Sequence, residues 1–147
     1  MRLVVQRVKQ AQVTVEGALI SRIGSGLLIF LGVGKTDTLA DADFLVKKAV
    51  ELRIFEDTAG KMNLSGVEIG TEFLIVSQFT LYGNCTKGRR PSFDEAADPV
   101  KGEELYNYFV EQVKKQNVKV QTGRFRAMMD VALVNDGPVT FVIDSHK

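Results

Sequence analysis

The chain has 147 residues, 45% of them from the set AVILMFWYC and 25% charged, the composition expected of one soluble globular domain spanning residues 1–147, which at this size buries roughly 68–70% of its unfolded surface. Nineteen Lys and Arg against 18 Asp and Glu leave a net charge of +1, so no global field draws in nucleic acid and any such binding is local. A single cysteine, Cys85, excludes an internal disulfide, and with His146 as the single histidine a structural zinc site is excluded too.

In chain order, Leu3–Val8, Ala11–Val15 and Ala18–Ile23 alternate apolar and polar residues, with Lys9-Gln10 and Glu16-Gly17 between them. This pattern predicts three antiparallel hairpin strands. Leu27–Val33 is continuously apolar and flanked by glycine, as a central strand buried on both faces would be. The whole apolar run from Gly26 is far shorter than the roughly 20 residues of a membrane span. The opening residues also lack the apolar h-region of a signal peptide, so the expected location is the cytoplasm, with no membrane partner.

From Thr38 the period becomes helical. Leu39, Ala42, Leu45, Val46, Ala49 and Val50 share a face, and Thr38 with Asp41 forms a capping signature for a helix of about 15 residues. Arg53–Glu56 reads as a strand ending in the turn Asp57–Gly60, and Glu72–Phe79 as a strong strand. Residues 83–99 form a long irregular segment, the kind that in a compact domain carries function or moves. Asp98-Pro99 caps a second helix whose core face holds Leu105, Tyr108, Phe109 and Val113. Val118–Gln121, Met128–Val134 and Val139–Ile143 complete the strands. Short strands and two helices in this order predict a mixed, β-rich α/β fold, two packed curved sheets of barrel-like form with helices on one side.

Several segments invite chemistry. Gly32–Thr36 (GVGKT) suggests a phosphate loop, but that motif needs glycine five positions before Gly34, where Ile29 stands. A strand-to-helix turn is the better reading. Cys85 has no base to make its thiolate, since His146 lies next to the C-terminus. The adjacent carboxylates Asp94-Glu95 and Glu103-Glu104 read as solvated surface, because neighbours in sequence do not converge on one atom. Lys87, Arg89 and Arg90 form the densest positive cluster, either a plain charged loop or a phosphate contact. Ser77, Gln78 and Thr80 interrupt an apolar strand, and they either bond neighbouring backbone or line a pocket. Asn135-Asp136-Gly137-Pro138 reads as a hairpin turn whose Gly-Pro bond is open to either isomer.

Ser77–Leu81 (SQFTL), Lys87–Phe93 (KGRRPSF), Thr122–Phe125 (TGRF) and Asn135–Thr140 (NDGPVT) resemble, in the same order, the motif set of the D-aminoacyl-tRNA deacylases. The likeness also takes in the opening Val5–Val8 (VQRV), Gly60–Asn63 (GKMN) and Leu105–Phe109 (LYNYF), and so spans essentially the whole chain. The Ser77-Gln78 pair matches this family rather than its animal relative of relaxed chirality.

The resemblance implies a homodimeric hydrolase without metal or other cofactor. Such an enzyme cleaves the ester joining a D-amino acid, or glycine mischarged on tRNA-Ala, to the terminal adenosine of tRNA and rejects L-aminoacyl-tRNA, a chiral quality control in translation. It further implies that the active sites lie at the subunit interface, with Gly137-Pro138 of one protomer, as a cis pair, inserted into the pocket of the other to capture the substrate amino group. Carried over, Ser77, Gln78, Phe79 and Thr80 line the pocket, Phe125 and Met129 pack around the adenosine, and Lys87, Arg89 and Arg90 contact acceptor-stem phosphates. The terminal ribose 2′-hydroxyl takes part in the chemistry and no protein nucleophile is needed. Arg126 departs from the family's pattern and leaves the contacts near the adenosine open. The competing readings are a non-catalytic RNA-binding module, which would bind tRNA whatever its aminoacyl group, and a P-loop nucleotide binder.

Overall fold

The computed structural model describes residues 1–146. The elements are β1 (Arg2–Val15), β2 (Ala18–Ile23), β3 (Gly26–Gly32), α1 (Leu39–Glu51), β4 (Phe55–Glu56), β5 (Met62–Leu64) and β6 (Glu72–Ser77), then a 3-10 turn (Phe79–Tyr82), α2 (Pro99–Lys114), β7 (Lys119–Thr122) and β8 (Met129–Asp144). Six strands make one sheet in the order β2-β1-β3-β6-β7, with β8 also on β1, while β4 and β5 pair separately. One edge of β1 is taken by β3 over Arg2–Val8 and by β2 over Ala11–Val15, and β8 runs antiparallel along the other. Pairs β3–β6 and β6–β7 are parallel, which requires crossover connections; α1 lies in the first and α2 in the second.

Alternation along β3 and β6 sorts their side chains into two cores. Leu27, Ile29, Leu31, Phe73 and Ile75 face one way, against Ala42, Leu45, Val46 and Ala49 of α1 and Leu105, Tyr106, Phe109, Val110 and Val113 of α2. Leu28, Leu74 and Val76 face the other way, against Val8, Ala11, Val13, Val15 and Ile23. The central strands are thus buried on both faces, as their unbroken apolar sequence predicts. Both helices pack in the same core, and on the other face the sheet curls into a nearly closed, barrel-like half, so the fold expected from sequence is the fold observed.

Four boundaries differ from expectation. Lys9-Gln10 is not a turn: β1 runs straight through it as a 14-residue strand. Leu3 and Val5 belong to the helix-side core, whereas Val8, Ala11, Val13 and Val15 belong to the other. The register shift between Val8 and Gln10 is the bulge that changes the strand's phase without ending it. Asn135–Val139 is likewise no hairpin turn. Gln6 faces Thr140 and Gln10 faces Val134, so β8 continues past the excursion with two residues more than β1 over the same stretch. Strand β6 stops at Ser77, and Phe79–Tyr82 coils instead. Arg53-Ile54 lie outside the short strand Phe55–Glu56, whose partner Met62–Leu64 no sequence signal marked.

Caps follow the sequence. Thr38 and Asp41 form a capping box on α1, and Asp98 Oδ1 accepts from the N–H groups of Val100 (3.0 Å) and Lys101 (3.1 Å) ahead of α2. Asp98→Ala is expected to cost about 1 kcal/mol, a fall in Tm of roughly 2–4 °C with an unchanged denaturant m-value, measurable by urea and thermal unfolding.

Candidate active site

Because β3, β6 and β7 are parallel, their carboxyl ends lie along one edge of the sheet, where open α/β sheets bind ligands. The chain leaving each strand is tied to its neighbour: Gln78 N–H donates to Leu31 O (2.8 Å), Ala97 N–H to Val33 O (2.9 Å) and Gly123 N–H to Ile75 O (3.3 Å). Tyr106, buried in α2, donates its hydroxyl to Ile75 O at 2.7 Å, and burial pushes its pKa up. It locks α2 against the end of β6.

Two cavities open at this edge. One, of about 420 Å³, is lined by Val33, Phe79, Phe93, Pro99 and Gly102 among others, and the second, of about 400 Å³, by Gln78, Met128 and Met129. Ser77, Phe79, Phe125 and Arg126 line both, and so form the ridge between them. Phe79 is 58% exposed and packs edgewise on Phe93, ring centroids 5.1 Å apart. Phe79 and Phe93 thus present an exposed aromatic pair at the end of a buried strand. Met129 is held in its cavity by the Arg124 N–H, 3.4 Å from Sδ. Gly123 leaves room for it, since a Cβ there would stand 2.6 Å from that sulfur.

The side-chain amide of Gln78 donates to Thr80 Oγ1. Thr80 itself lines neither cavity. No histidine or carboxylate hydrogen-bonds Ser77 or Thr80 among the described residues; His146 Nε2 is occupied by Asp37 (2.9 Å) and Asp41 (3.1 Å). Asp37 also holds the Met1 ammonium at 2.5 Å, so the one grouping of carboxylates and imidazole within metal-ligand reach of one another, among the described residues, already contains a cation. Cys85 is exposed. The GVGKT turn is closed: Gly34 N–H donates to Asp37 Oδ2 at 2.5 Å, placing a carboxylate where a phosphate loop would receive its anion.

The basic cluster sits on the tip of a loop pinched by paired bonds between Asn84 and Ser92 (2.7 and 3.0 Å). Lys87, Arg89 and Arg90 are all exposed, away from the lining of either cavity.

Gly137-Pro138 is a cis peptide at the exposed crest of the β8 excursion, and it lines neither cavity of its own chain. Its base is firmly held. Val139 is 1% exposed, Asn135 Nδ2 donates to Arg7 O (2.8 Å) and Val139 O (3.2 Å), and Arg7 Nε donates to Asp136 O at 3.2 Å. Arg7, itself 6% exposed, also donates to Ile54 O at 2.6 Å.

Comparison with known proteins accords with this arrangement. The family model of D-Tyr-tRNA(Tyr) deacylase matches residues 4–144. The chain belongs to the D-aminoacyl-tRNA deacylase family. Deacylases of Thermosipho melanesiensis and Thermotoga petrophila are 57% and 58% identical to it, each alignment covering all of this chain and 99% of the relative. A solved structure named c-Myc DNA Unwinding Element Binding Protein superposes with a TM-score of 0.93 at 41% identity, covering 98% of each chain. Another, of a probable eukaryotic D-amino acid tRNA deacylase, shares the fold at a TM-score of 0.83 and 20% identity. As a deacylase the chain is a hydrolase of the ester linkage in D-aminoacyl-tRNA.

Sequence reasoning assigned no role to Phe93 and Gly102, which line one cavity, or to Arg7, which braces the β8 excursion. Arg7 had a usable signal, a charged residue in phase with the buried Leu3 and Val5. Phe93 closes the Lys87–Phe93 motif, but that it turns into the cavity from the long loop is a tertiary fact, and Gly102, which reaches the cavity from α2, had no signal at all.

Proposed function

We propose that this deacylase is chirality-selective, works as a homodimer in the cytoplasm, and hydrolyses D-aminoacyl and glycyl esters of tRNA, including glycine on tRNA-Ala, while rejecting L-aminoacyl esters. The observation that carries this reading is the pair of cavities sharing the ridge Ser77–Phe79–Phe125, with no activated nucleophile beside it among the described residues. An aminoacylated ribose laid on that ridge has room for its adenine beside Phe125 and Met129 and for its amino acid in the adjoining cavity. The ribose 2′-hydroxyl assists the attack, so the protein has only to position the ester and steady the developing oxyanion. The N–H groups of Phe79 and Thr80 open the 3-10 turn and donate to no acceptor among the described residues, which suits them to that task; an oxyanion donor is worth about 2.7–4 kcal/mol.

Discrimination against the L enantiomer falls to Gly137-Pro138 of one protomer, inserted into the pocket of the other. Support comes from the exposure of that crest and its absence from its own chain's cavities. Strand β8 also presents Val134, Phe141 and Val142 to solvent at 43%, 39% and 64% exposure, apolar surface of the kind that a subunit interface covers.

The test is deacylation of D-tyrosyl-tRNA against L-tyrosyl-tRNA in chelator-treated buffer. Rapid loss of the D ester with the L ester untouched is the expected result, and equal hydrolysis of both, or of neither, overturns the reading. Lys87, Arg89 and Arg90 are assigned to acceptor-stem phosphates, since none of them makes an ion pair or hydrogen bond among the described residues. Their joint replacement by Ala is expected to weaken tRNA binding and to lower the salt slope of log K by about 1 for each phosphate no longer neutralised. An unchanged affinity and slope would return the loop to plain surface.

A further inference from the structure

Arg126 sits at the third position of a tight turn closed by the Ala127 N–H on Arg124 O at 3.1 Å. Its φ is 63°, a left-handed conformation that favours glycine at that position and costs another L-residue about 1–2 kcal/mol. No polar contact offsets that cost: among the described residues the Arg126 guanidinium makes no ion pair or hydrogen bond. Glu16 and Asn117 share that positive φ, so the backbone alone marks no site; it is the position of Arg126 that points toward a ligand.

The surroundings say which. Arg126 is the sole Lys or Arg among the residues lining either cavity, and it lines both. The sole carboxylate there is that of Asp98, whose Oδ1 is engaged by the Val100 and Lys101 N–H groups. A 3′-aminoacylated terminal adenosine carries three arms on one ribose, namely the base, the ester and the 5′-phosphodiester to the preceding nucleotide. With the base in one cavity and the ester arm directed to the other, the ribose rests on the ridge and the third arm leaves from it. Arg126 stands on that ridge.

We infer that Arg126 binds the phosphodiester on the 5′ side of the terminal adenosine, so that the enzyme reads one backbone phosphate at the active site itself, apart from any contact made by the 87–90 loop. This rests on the proposed placement of the aminoacylated ribose. A planar guanidinium fork suits a phosphodiester better than an ammonium does, so Lys would keep part of the effect and a neutral residue none.

The experiment compares two small esters, 3′-O-D-tyrosyl-adenosine and its 5′-(methyl phosphate), which differ by one diester anion. Wild-type enzyme is expected to favour the phosphate-bearing ester in kcat/KM by about tenfold or more, the scale of one charge-assisted hydrogen bond. Arg126→Gly, which suits the turn's backbone, is expected to bring that ratio close to one, and Arg126→Lys to give an intermediate ratio. The ratio is the readout because a general loss of fold or activity would leave it unmoved. No preference in the wild type, whether both esters are cleaved or neither, overturns the proposal, as does an undiminished preference in Arg126→Gly. If D-tyrosyl-tRNA itself survives intact beside the wild type, the functional reading beneath the proposal falls with it.

Discussion

Gln78→Ala and Pro138→Ala are each expected to slow hydrolysis of D-tyrosyl-tRNA by on the order of 100-fold, the penalty of displacing a reacting group by about 1 Å. Gln78 is fixed through its backbone to Leu31 O, and its amide steadies Thr80 Oγ1 where the 3-10 turn presents its free N–H groups. Without the amide, the turn proposed to hold the ester loosens. Pro138 crowns an excursion whose footing is Val139, Asn135 and Arg7, so its replacement removes the crest and leaves the footing. If the crest serves the other protomer's pocket, the two defects lie on different chains of one site. Equal mixing of the two inactive proteins under conditions of subunit exchange would then restore one intact site in each mixed dimer, about a quarter of wild-type activity for random two-fold pairing. Mixed proteins that stay as inactive as the separate ones would show that both groups act within a single chain.

The second large effect is structural. Gly26→Ala is expected to cost about 4 kcal/mol or more, a large share of the 5–15 kcal/mol that holds a typical domain folded. A Cβ at Gly26 would stand 1.7 Å from Glu72 O, with Glu72 C and N at 2.8 and 2.9 Å, and no rotamer change can move backbone aside. Strands β3 and β6 would have to part at their first paired residues, Gly26 and Glu72, and both cores meet on those strands. Urea unfolding gives the measurement: a midpoint near wild type would mean that the two backbones do not approach as described.

Much of this architecture was legible in the residues. The unbroken apolar stretch of β3, the helical spacing after Thr38 and the Asp98-Pro99 cap each carry their cause locally, and each stands where expected. Two of the four errors share one physical origin. Lys9-Gln10 and Asn135–Val139 both look like turns because polar residues break an alternation, yet in each the strand continues through a bulge. Only pairing with another strand decides between a turn and a bulge, and a single sequence does not contain that pairing. The site divides in the same way. Ser77 and Gln78 announce themselves as polar residues at the end of a buried strand, whereas Phe93 and Gly102 reach the cavity through tertiary placement. The motif order identified the family that the comparisons show, and chemistry alone left Gln78 and Gly137-Pro138 with ordinary alternatives.

The parallel pairing of β6 with β7 has a kinetic consequence. One side of the ridge, Ser77 to Phe79, and the other, Phe125, flank the crossover that contains the whole loop and α2. Neither side can meet the other until that length of chain has been closed, and closures of this range are the slow events of folding. Hydrophobic collapse around β1 and β3 needs no such closure and can run ahead. A growing chain that has emerged only through β6 therefore holds most of the first core but only one rim of the cavities, Val33, Val76 and Ser77, and the opposite rim forms late, after α2 docks, β7 slots in beside β6 and Phe125 and Met129 follow.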